Sequence, residues 1–135
     1  MPRINKKSKG EKEMKITTFD PMILSAKADD VIKVFEDLGF EKHHAPTVDT
    51  GKSLVTSTRM KNEDGFAIDI AGVASMPRDM NIIRMNVDDF DAAYELLTSM
   101  GFKNSSGKTV DTETNKSTLM VSPTGFAFDL CQHIK

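Results

Sequence analysis

The chain has 135 residues, 39% of them hydrophobic, and a formal net charge of -2 from 18 basic and 20 acidic side chains. This composition is typical of a single globular domain, and the near balance of charges gives no electrostatic reason to expect nucleic acid as a partner. The apolar runs are too short to cross a bilayer and no hydrophobic signal region is apparent, so we expect no membrane partner and a cytoplasmic location. The one cysteine, Cys131, excludes a disulfide framework and a cysteine-based metal site.

Residues 1–13 differ in composition from the rest of the chain. They contain five basic side chains among Asn, Ser, Gly and Glu and almost no apolar residue. Such a segment cannot bury enough apolar surface to offset the entropy of ordering it. We therefore predict a disordered basic tail at 1–13 and a single domain at 14–135.

The first half predicts a strand, a helix and three further strands. Residues 16–24 have a strand pattern interrupted by Pro21, which favours an edge position or a bulge. Ser25 can cap a helix that runs as far as Gly39. Residues 74–80 are predicted to link this half to the next. The three strands after the helix are predicted near 40–48, 53–60 and 66–72.

The second half predicts the same order of elements. Its first strand divides its side chains between two faces, with Ile83, Met85 and Val87 on one and Ile82, Arg84 and Asn86 on the other. A helix follows, capped by Asp88 or Asp89 and stopped by Gly101. The three closing strands are predicted near 103–110, 116–121 and 126–132.

The two halves also repeat each other in sequence. The tetrapeptide TVDT at 47–50 returns at 109–112, a displacement of 62, and GFAIDI at 65–70 returns as GFAFDL at 125–130, a displacement of 60. A period of this length suits a supersecondary module that must pair with its copy to bury a core. We therefore expect two modules, at 14–73 and 81–135, with a binding site between them.

Each half closes on a strand in which large apolar residues alternate with small or acidic ones. The large residues should pack beneath the helix of their module, so Asp69 and Asp129 should project from the opposite face of the sheet. The residues predicted to be buried are Phe35, Leu38, Ile68, Ile70, Ile83, Met85, Val87, Leu97, Phe126, Phe128 and Leu130, with Phe66 also beneath its helix.

These features resemble the vicinal oxygen chelate superfamily, which includes glyoxalases, bleomycin-resistance proteins and extradiol dioxygenases. The resemblance rests on the doubled module, on FEDLGF at 35–40, on VDDFDAAY at 87–94, and on the Gly-x-x-x-Asp-hydrophobic motif that closes each half. It implies an α+β fold in which two tandem βαβββ modules form a curved mixed sheet around a cleft, with the helices outside.

In metal-dependent members of that superfamily, each half supplies one ligand from its first strand and a carboxylate from its last. The resemblance places the carboxylate positions on Asp69 and Asp129 and the first-strand positions on Phe19 and Ile82. Because neither Phe19 nor Ile82 can bind a metal, we predict no metal and no other cofactor, with Asp69 and Asp129 at most remnant ligands.

Arg84 shares a strand face with Ile82 and is predicted to line the cleft. One interpretation is that its guanidinium selects an anionic or amide-bearing ligand. The other is a structural ion pair with Asp129 or Asp69. The neighbours His43 and His44 should point to opposite faces of a strand, so they cannot hold one ion together.

Two functions therefore follow as hypotheses. The first is a metal-free protein that binds a small, partly apolar molecule in the cleft through Arg84, Asp69, Asp129, Phe19 and Ile82. The alternative is a metal-dependent lyase of the glyoxalase type, or a dioxygenase, that uses Asp69 and Asp129. Because curved sheets leave edges and an open cleft to be covered, we also expect a homodimer.

Overall fold

The computed structural model describes residues 14–45, 47–49, 54–105, 107, 109–111 and 115–133, so the predicted tail at 1–13 lies outside the described residues. Within these ranges neither helix is long and apolar enough to cross a membrane. The elements run in the order β1 (Ile16–Ser25), α1 (Ala28–Asp37), β2 (Glu41–His44), β3 (Thr47–Asp49), β4 (Leu54–Lys61), β5 (Ala67–Gly72), β6 (Met80–Val87), α2 (Phe90–Ser99), β7 (Lys103–Asn104), β8 (Val110–Asp111), β9 (Asn115–Val121) and β10 (Ala127–His133).

The strands form a mixed sheet in the order β2-β4-β5-β1-β6-β10-β9-β7, with β3 paired to β4 and β8 paired to β9. The first strands of the two halves, β1 and β6, are antiparallel neighbours at the centre. Each is parallel to the last strand of its own half, β5 or β10. The second strand predicted for each half is divided into two short strands that pair with the same neighbour. The predicted fold class, α+β with tandem βαβββ modules, is confirmed.

The two helices begin in different ways. Asp89 caps α2, its side chain accepting a hydrogen bond from the amide of Ala92 at 3.1 Å. The prediction that Ser25 caps α1 is wrong, because Ser25 still pairs with Gly72 as the last residue of β1. Its hydroxyl accepts from the amide of Lys27, the actual N-cap, whose own side chain makes no cap hydrogen bond.

Each helix covers the same side of the sheet, which we call the helix face. Under α1, Ile32 packs with Met60, Ile68 and Ile70 of β4 and β5. Under α2, a second cluster joins the helix to β6, β9 and β10 through Phe90, Ala93, Leu97, Met85, Val87, Met120 and Leu130. The opposite side, the cleft face, carries a third cluster of Met22, Leu24, Ala71, Ile82 and Ala127.

Most of the predicted core is buried or partly buried, but three large residues are not. Leu38 is 65% exposed, Phe66 67% and Phe126 50%. Leu38 is the C-cap of α1 and lies beyond its last packed turn. Phe66 and Phe126 each lie between a glycine of positive φ and the first residue of the closing strand, where the ten-residue helices no longer cover the sheet. The predicted burial is therefore wrong for these residues and holds for the strand interiors.

Candidate functional site

A cavity of about 400 Å³ opens on the cleft face between the two halves of the chain. Both halves contribute to its wall, as expected for a site between paired modules. The apolar residues of the wall are Met22, Leu24, Val55, Ala71, Val73, Ile82, Val110, Leu119 and Cys131. The polar residues are His44, Thr47, Ser57, Arg84, Asn115, Ser117, Asp129 and His133.

The central pair of strands gives this cavity one apolar end and one charged end. Because β1 and β6 are antiparallel, Met22 lies opposite Ile82 and Asp20 lies opposite Arg84. A second cavity of about 300 Å³ continues from the charged end, lined in part by Arg84, Arg59 and Asp69. The cleft face thus changes from apolar to ionic along these two strands.

Asp69 is the centre of an ion-pair cluster at the charged end. It is 1% exposed, and its carboxylate lies 3.4 Å from Arg59 Nη2 and 3.8 Å from Arg84 Nη1. Arg59 Nε donates to the other carboxylate oxygen at 3.4 Å, so the pair is bidentate. One buried carboxylate therefore faces two guanidinium groups that come from opposite halves of the chain.

Asp20 completes this cluster and has an unusual environment. Its Oδ2 lies 3.4 Å from Arg59 Nη2, whereas its buried Oδ1 has no hydrogen-bond partner among the described residues. Burial and the adjacent Asp69 carboxyl raise the pKa of Asp20 to about 7, against the opposing effect of Arg59 and Arg84. Because the Asp20 and Asp69 carboxyl groups share one site, Asp20 keeps its proton over part of the neutral pH range.

Arg84 is both an ion-pair partner and part of the cavity wall. Its Nε donates to Asn86 Oδ1 at 3.2 Å, and its Nη1 donates to Ser57 Oγ at 3.3 Å. No hydrogen bond joins its Nη2 to the described residues. Arg84 thus forms an ion pair with Asp69 and also lines the cavity. The two interpretations of Arg84 therefore do not exclude each other.

Asp129 occupies the place in the second half that Asp69 occupies in the first, but it is not paired in the same way. It lies beside Arg84 in the sheet register, yet no described residue makes an ion pair with it within 4 Å. Burial and the nearby Asp69 raise the pKa of Asp129, while Arg84 opposes the rise. Burial and Asp129 in turn raise the pKa of the Cys131 thiol to about 11, so this thiol stays neutral and is not a nucleophile.

Two histidines from opposite halves stand at the junction of the two cavities. His44 and His133 line both cavities. His44 faces the cleft because the register of β2 on β4 shifts between Lys42 and His44, which places His44 opposite Arg59. Burial lowers the pKa of His133, and so do its electrostatic interactions with Arg84, His44 and Arg59. His133 therefore favours its neutral form beside these two guanidinium groups.

The structure brings together four of the five residues predicted to bind a ligand. Ile82, Arg84 and Asp129 line the larger cavity, and Asp69 lines the adjoining one. The fifth, Phe19, is 58% exposed and lies on the helix face, with its ring centroid 6.4 Å from that of Phe128. The expectation that Phe19 projects into the cleft is wrong. The predicted position differs from the observed one by a single residue, and neighbouring residues of a strand point to opposite faces of the sheet.

The residue of β1 that faces the cleft at this level is Asp20, which the sequence reasoning missed. The signal was in the repeat itself, because the displacement of 62 that separates the two TVDT segments leads from Ile82 back to Asp20. The displacement of 60 in the closing strands likewise leads from Leu119 to Arg59, which was also missed. The registers agree, since Arg59 lies opposite Asp69 as Leu119 lies opposite Asp129.

The donor set does not fit a divalent metal. Among the described residues no three His, Cys, Asp or Glu side chains are placed to hold one ion together. Arg59, a permanent cation, already lies within 3.4 Å of both Asp20 and Asp69, and the second-half position that corresponds to Asp20 is Ile82. The guanidinium of Arg59 therefore pairs with the two carboxylates that a metal ion would need as ligands.

Comparison with solved structures identifies the fold. Methylmalonyl-CoA epimerase from Mycobacterium tuberculosis matches with a TM-score of 0.62 at 16% identity, over 87% of this chain and 88% of that chain. A glyoxalase/bleomycin resistance protein/dioxygenase superfamily member from Vibrio splendidus 12B01 matches with a TM-score of 0.55 at 16% identity, over 87% and 99%. Glyoxalase I from Zea mays matches with a TM-score of 0.62 at 11% identity, and here the chain covers only 44% of its relative.

No protein-family model and no curated protein sequence matches the chain. The likeness at the level of structure nevertheless extends over 87–88% of the chain in solved structures that match with TM-scores of 0.55–0.63. Together with the doubled module and the cleft between its halves, it shows that the chain has the vicinal oxygen chelate fold of the glyoxalase, bleomycin-resistance and dioxygenase superfamily.

Proposed function

We propose that the protein binds a small, partly apolar molecule in the cleft between its modules, without metal catalysis. The observation that carries the proposal is the cavity of about 400 Å³, which is shared by both halves and exposes mainly apolar surface, although eight of the residues that line it are polar. Binding sites for small molecules have this size and this composition. Arg84 and Asp129 are among its polar residues, and Ile82 belongs to its apolar wall.

A tryptophan at Leu119 is expected to abolish binding by filling the cavity. Leu119 is partly buried in the cavity wall, so the larger indole has only the cavity to occupy. The measurement is the rise in melting temperature of wild type and Leu119→Trp against a panel of small carboxylates, amides, amines and aromatic compounds, because a ligand that binds only the native state stabilises it according to its affinity and concentration.

The matched control is Leu96→Trp, the same substitution at a residue of α2 that is 46% exposed and does not line the cavity. It should keep every stabilisation seen with wild type. Ligands that stabilise Leu119→Trp as strongly as wild type would bind elsewhere, and the proposal would then be abandoned.

The alternative is a metal-dependent lyase of the glyoxalase type, or a dioxygenase, that uses Asp69 and Asp129. The likeness in fold to glyoxalase I favours keeping this candidate. Because Asp69 is held by Arg59 and Arg84, we expect no stoichiometric metal site. Elemental analysis of the purified protein, followed by titration with nickel, zinc, manganese and iron, tests this. One tightly bound metal per site, lost in Asp129→Ala, would instead favour the alternative.

We also propose that the protein forms a homodimer through an aromatic patch on the helix face. Phe19 and Phe126 are 58% and 50% exposed, and both rings contact Phe128. Exposed patches of this kind mark interaction surfaces, and homodimers are the commonest assemblies. Light scattering should give twice the mass of 15.0 kDa for wild type and a smaller average mass for Phe19→Ser. A monomer mass for wild type across micromolar concentrations would contradict the proposal.

A further inference from the structure

The positions of the cleft face that correspond between the two halves have become chemically different. Asp20 corresponds to Ile82, and Arg59 corresponds to Leu119. Arg84 likewise corresponds to Met22, because each lies beside the aspartate of its own closing strand. In each pair one half supplies a charge and the other an apolar side chain.

The antiparallel pairing of β1 and β6 then separates these two kinds of residue in space. Arg84 lies opposite Asp20, and Met22 lies opposite Ile82, with Leu24 one step further along the same face. From the level of Asp20 to that of Leu24 the strand extends roughly 13 Å. A cleft built from two similar halves has thereby become amphipathic along its length.

The boundary between the two ends is lined by hydrogen-bond donors. The two cavities share four residues, His44, Ser57, Arg84 and His133, which come from four different strands. Each of them can donate a hydrogen bond. Arg84 Nη2 is the donor best suited to a ligand, because the other two guanidinium nitrogens already donate to Asn86 and Ser57.

We infer that the ligand of this cleft is an amphipathic monoanion, whose carboxylate lies against Arg84 between His44 and His133 and whose apolar body extends over Met22, Ile82 and Leu24. The inference rests on the proposed function and adds the chemical class of the ligand. Arg84 is suited to this role because a guanidinium recognises a carboxylate through paired, charge-assisted hydrogen bonds.

The acidic residues of the cleft do not oppose an anion there. Asp69 and Asp20 already face Arg59. Asp129 lies beside Arg84 in the sheet register and lines the same cavity, and burial raises its pKa, which favours the protonated form. A protonated Asp129 donates a hydrogen bond to a carboxylate, and two carboxyl groups that share a proton are compatible neighbours. Binding should therefore take up protons from solution.

Three probes of equal length but different charge test the inference: octanoate, octanamide and octylamine. Isothermal titration calorimetry should show that octanoate binds at least about tenfold more tightly than octanamide, because hydrogen bonds to a charged group are the stronger ones. Octylamine should bind most weakly. Titration of octanoate in two buffers of different ionisation enthalpy should show net proton uptake.

Variants of the histidines provide a matched comparison. His44→Ala and His133→Ala should each weaken octanoate several-fold and octanamide to a smaller extent, because a hydrogen bond to a carboxylate is stronger than one to an amide oxygen. His43→Ala, the adjacent histidine that lines neither cavity, should change neither affinity. Leu119→Trp should abolish the binding of both probes.

The outcomes that overturn the inference are distinct from those that overturn the proposed function. Equal affinities for octanoate and octanamide, both lost in Leu119→Trp, would refute the anion and keep the cleft as the binding site. Tighter binding of octylamine would also refute it and would assign the head group to Asp69 and Asp129. If none of the three probes binds at millimolar concentration, the inference fails, and the wider panel decides the proposed function.

Discussion

Replacement of Asp69 by alanine is expected to lower the free energy of unfolding by roughly 3–5 kcal/mol, the range for removing one partner of a buried ion pair. Asp69 is the carboxylate that both Arg59 and Arg84 approach, and it is 1% exposed. Without it, the Arg84 side chain, itself only 10% exposed, has no carboxylate of another described residue within 4 Å. The cost therefore comes from buried charge left unpaired, rather than from the small volume removed.

The internal repeat supplies the control for this experiment. Asp129→Ala makes the same chemical change at the corresponding position of the second half, where no ion pair forms within 4 Å among the described residues. The loss of stability should be much smaller, because removing a carboxylate that is itself costly to bury offsets part of what is lost. Urea denaturation of both variants and wild type measures the difference through the midpoints.

Asp69→Asn extends the comparison if Asp69→Ala does not fold, because the amide keeps the shape and removes only the charge. It should also be less stable than wild type. Equal losses for the substitutions at positions 69 and 129 would show that the ion-pair cluster does not contribute as argued. In that case Arg59 and Arg84 would be paired adequately by other groups.

The overall architecture followed from the sequence because its evidence is distributed over the whole chain. Matched segments in one order, separated by about 60 residues, require two similar modules whatever the exact bounds of their strands. The alternation in each closing strand also placed Asp69 and Asp129 on the cleft face. This depends only on the two-residue period of a strand, which holds in both closing strands because neither has a register shift.

The site was harder to predict because it depends on single-residue registers. Counting back from a helix start assumed to follow Ser25 led to Phe19, whereas α1 begins at Ala28. The start of α2 at Phe90 lies 62 residues later, and that displacement leads correctly from Ile82 to Asp20. Ser25 is the best capping residue in the region but is still part of β1. A local preference for capping was therefore overruled by strand pairing.

Side-chain alternation alone could not predict that His44 faces the cleft. It also could not predict which carboxylates pair with Arg59. The register shift in β2 changes which of two adjacent histidines faces the cleft, and no glycine or proline in the strand marks it. The ion pairs of Arg59 depend on the distance that a long side chain can span across the sheet. That distance is fixed by packing and not by the order of residues along one strand.

The ionisation of Asp20 leads to the second prediction with a large expected effect. Burial and the neighbouring Asp69 raise the pKa of Asp20 from 3.8 to about 7. A group whose pKa is raised in the folded state binds its proton more tightly there than in the unfolded chain. Its contribution to stability is therefore fully present below about pH 4 and is lost as the pH rises towards 7. We expect Asp20→Asn to remove this loss.

The difference in melting temperature between Asp20→Asn and wild type should consequently grow as the pH rises from 5 to 8, with the variant the more stable at pH 8. Asparagine cannot ionise, yet its amide can donate a hydrogen bond to the Asp69 carboxylate, as a protonated Asp20 carboxyl group can. Taking the difference cancels the effects of Asp129 and His133, whose pKa values are also shifted. Asp79→Asn, at an exposed residue between β5 and β6, should show no such growth. A constant difference across the pH range would mean that Asp20 stays ionised throughout, held by Arg59 more strongly than its burial opposes.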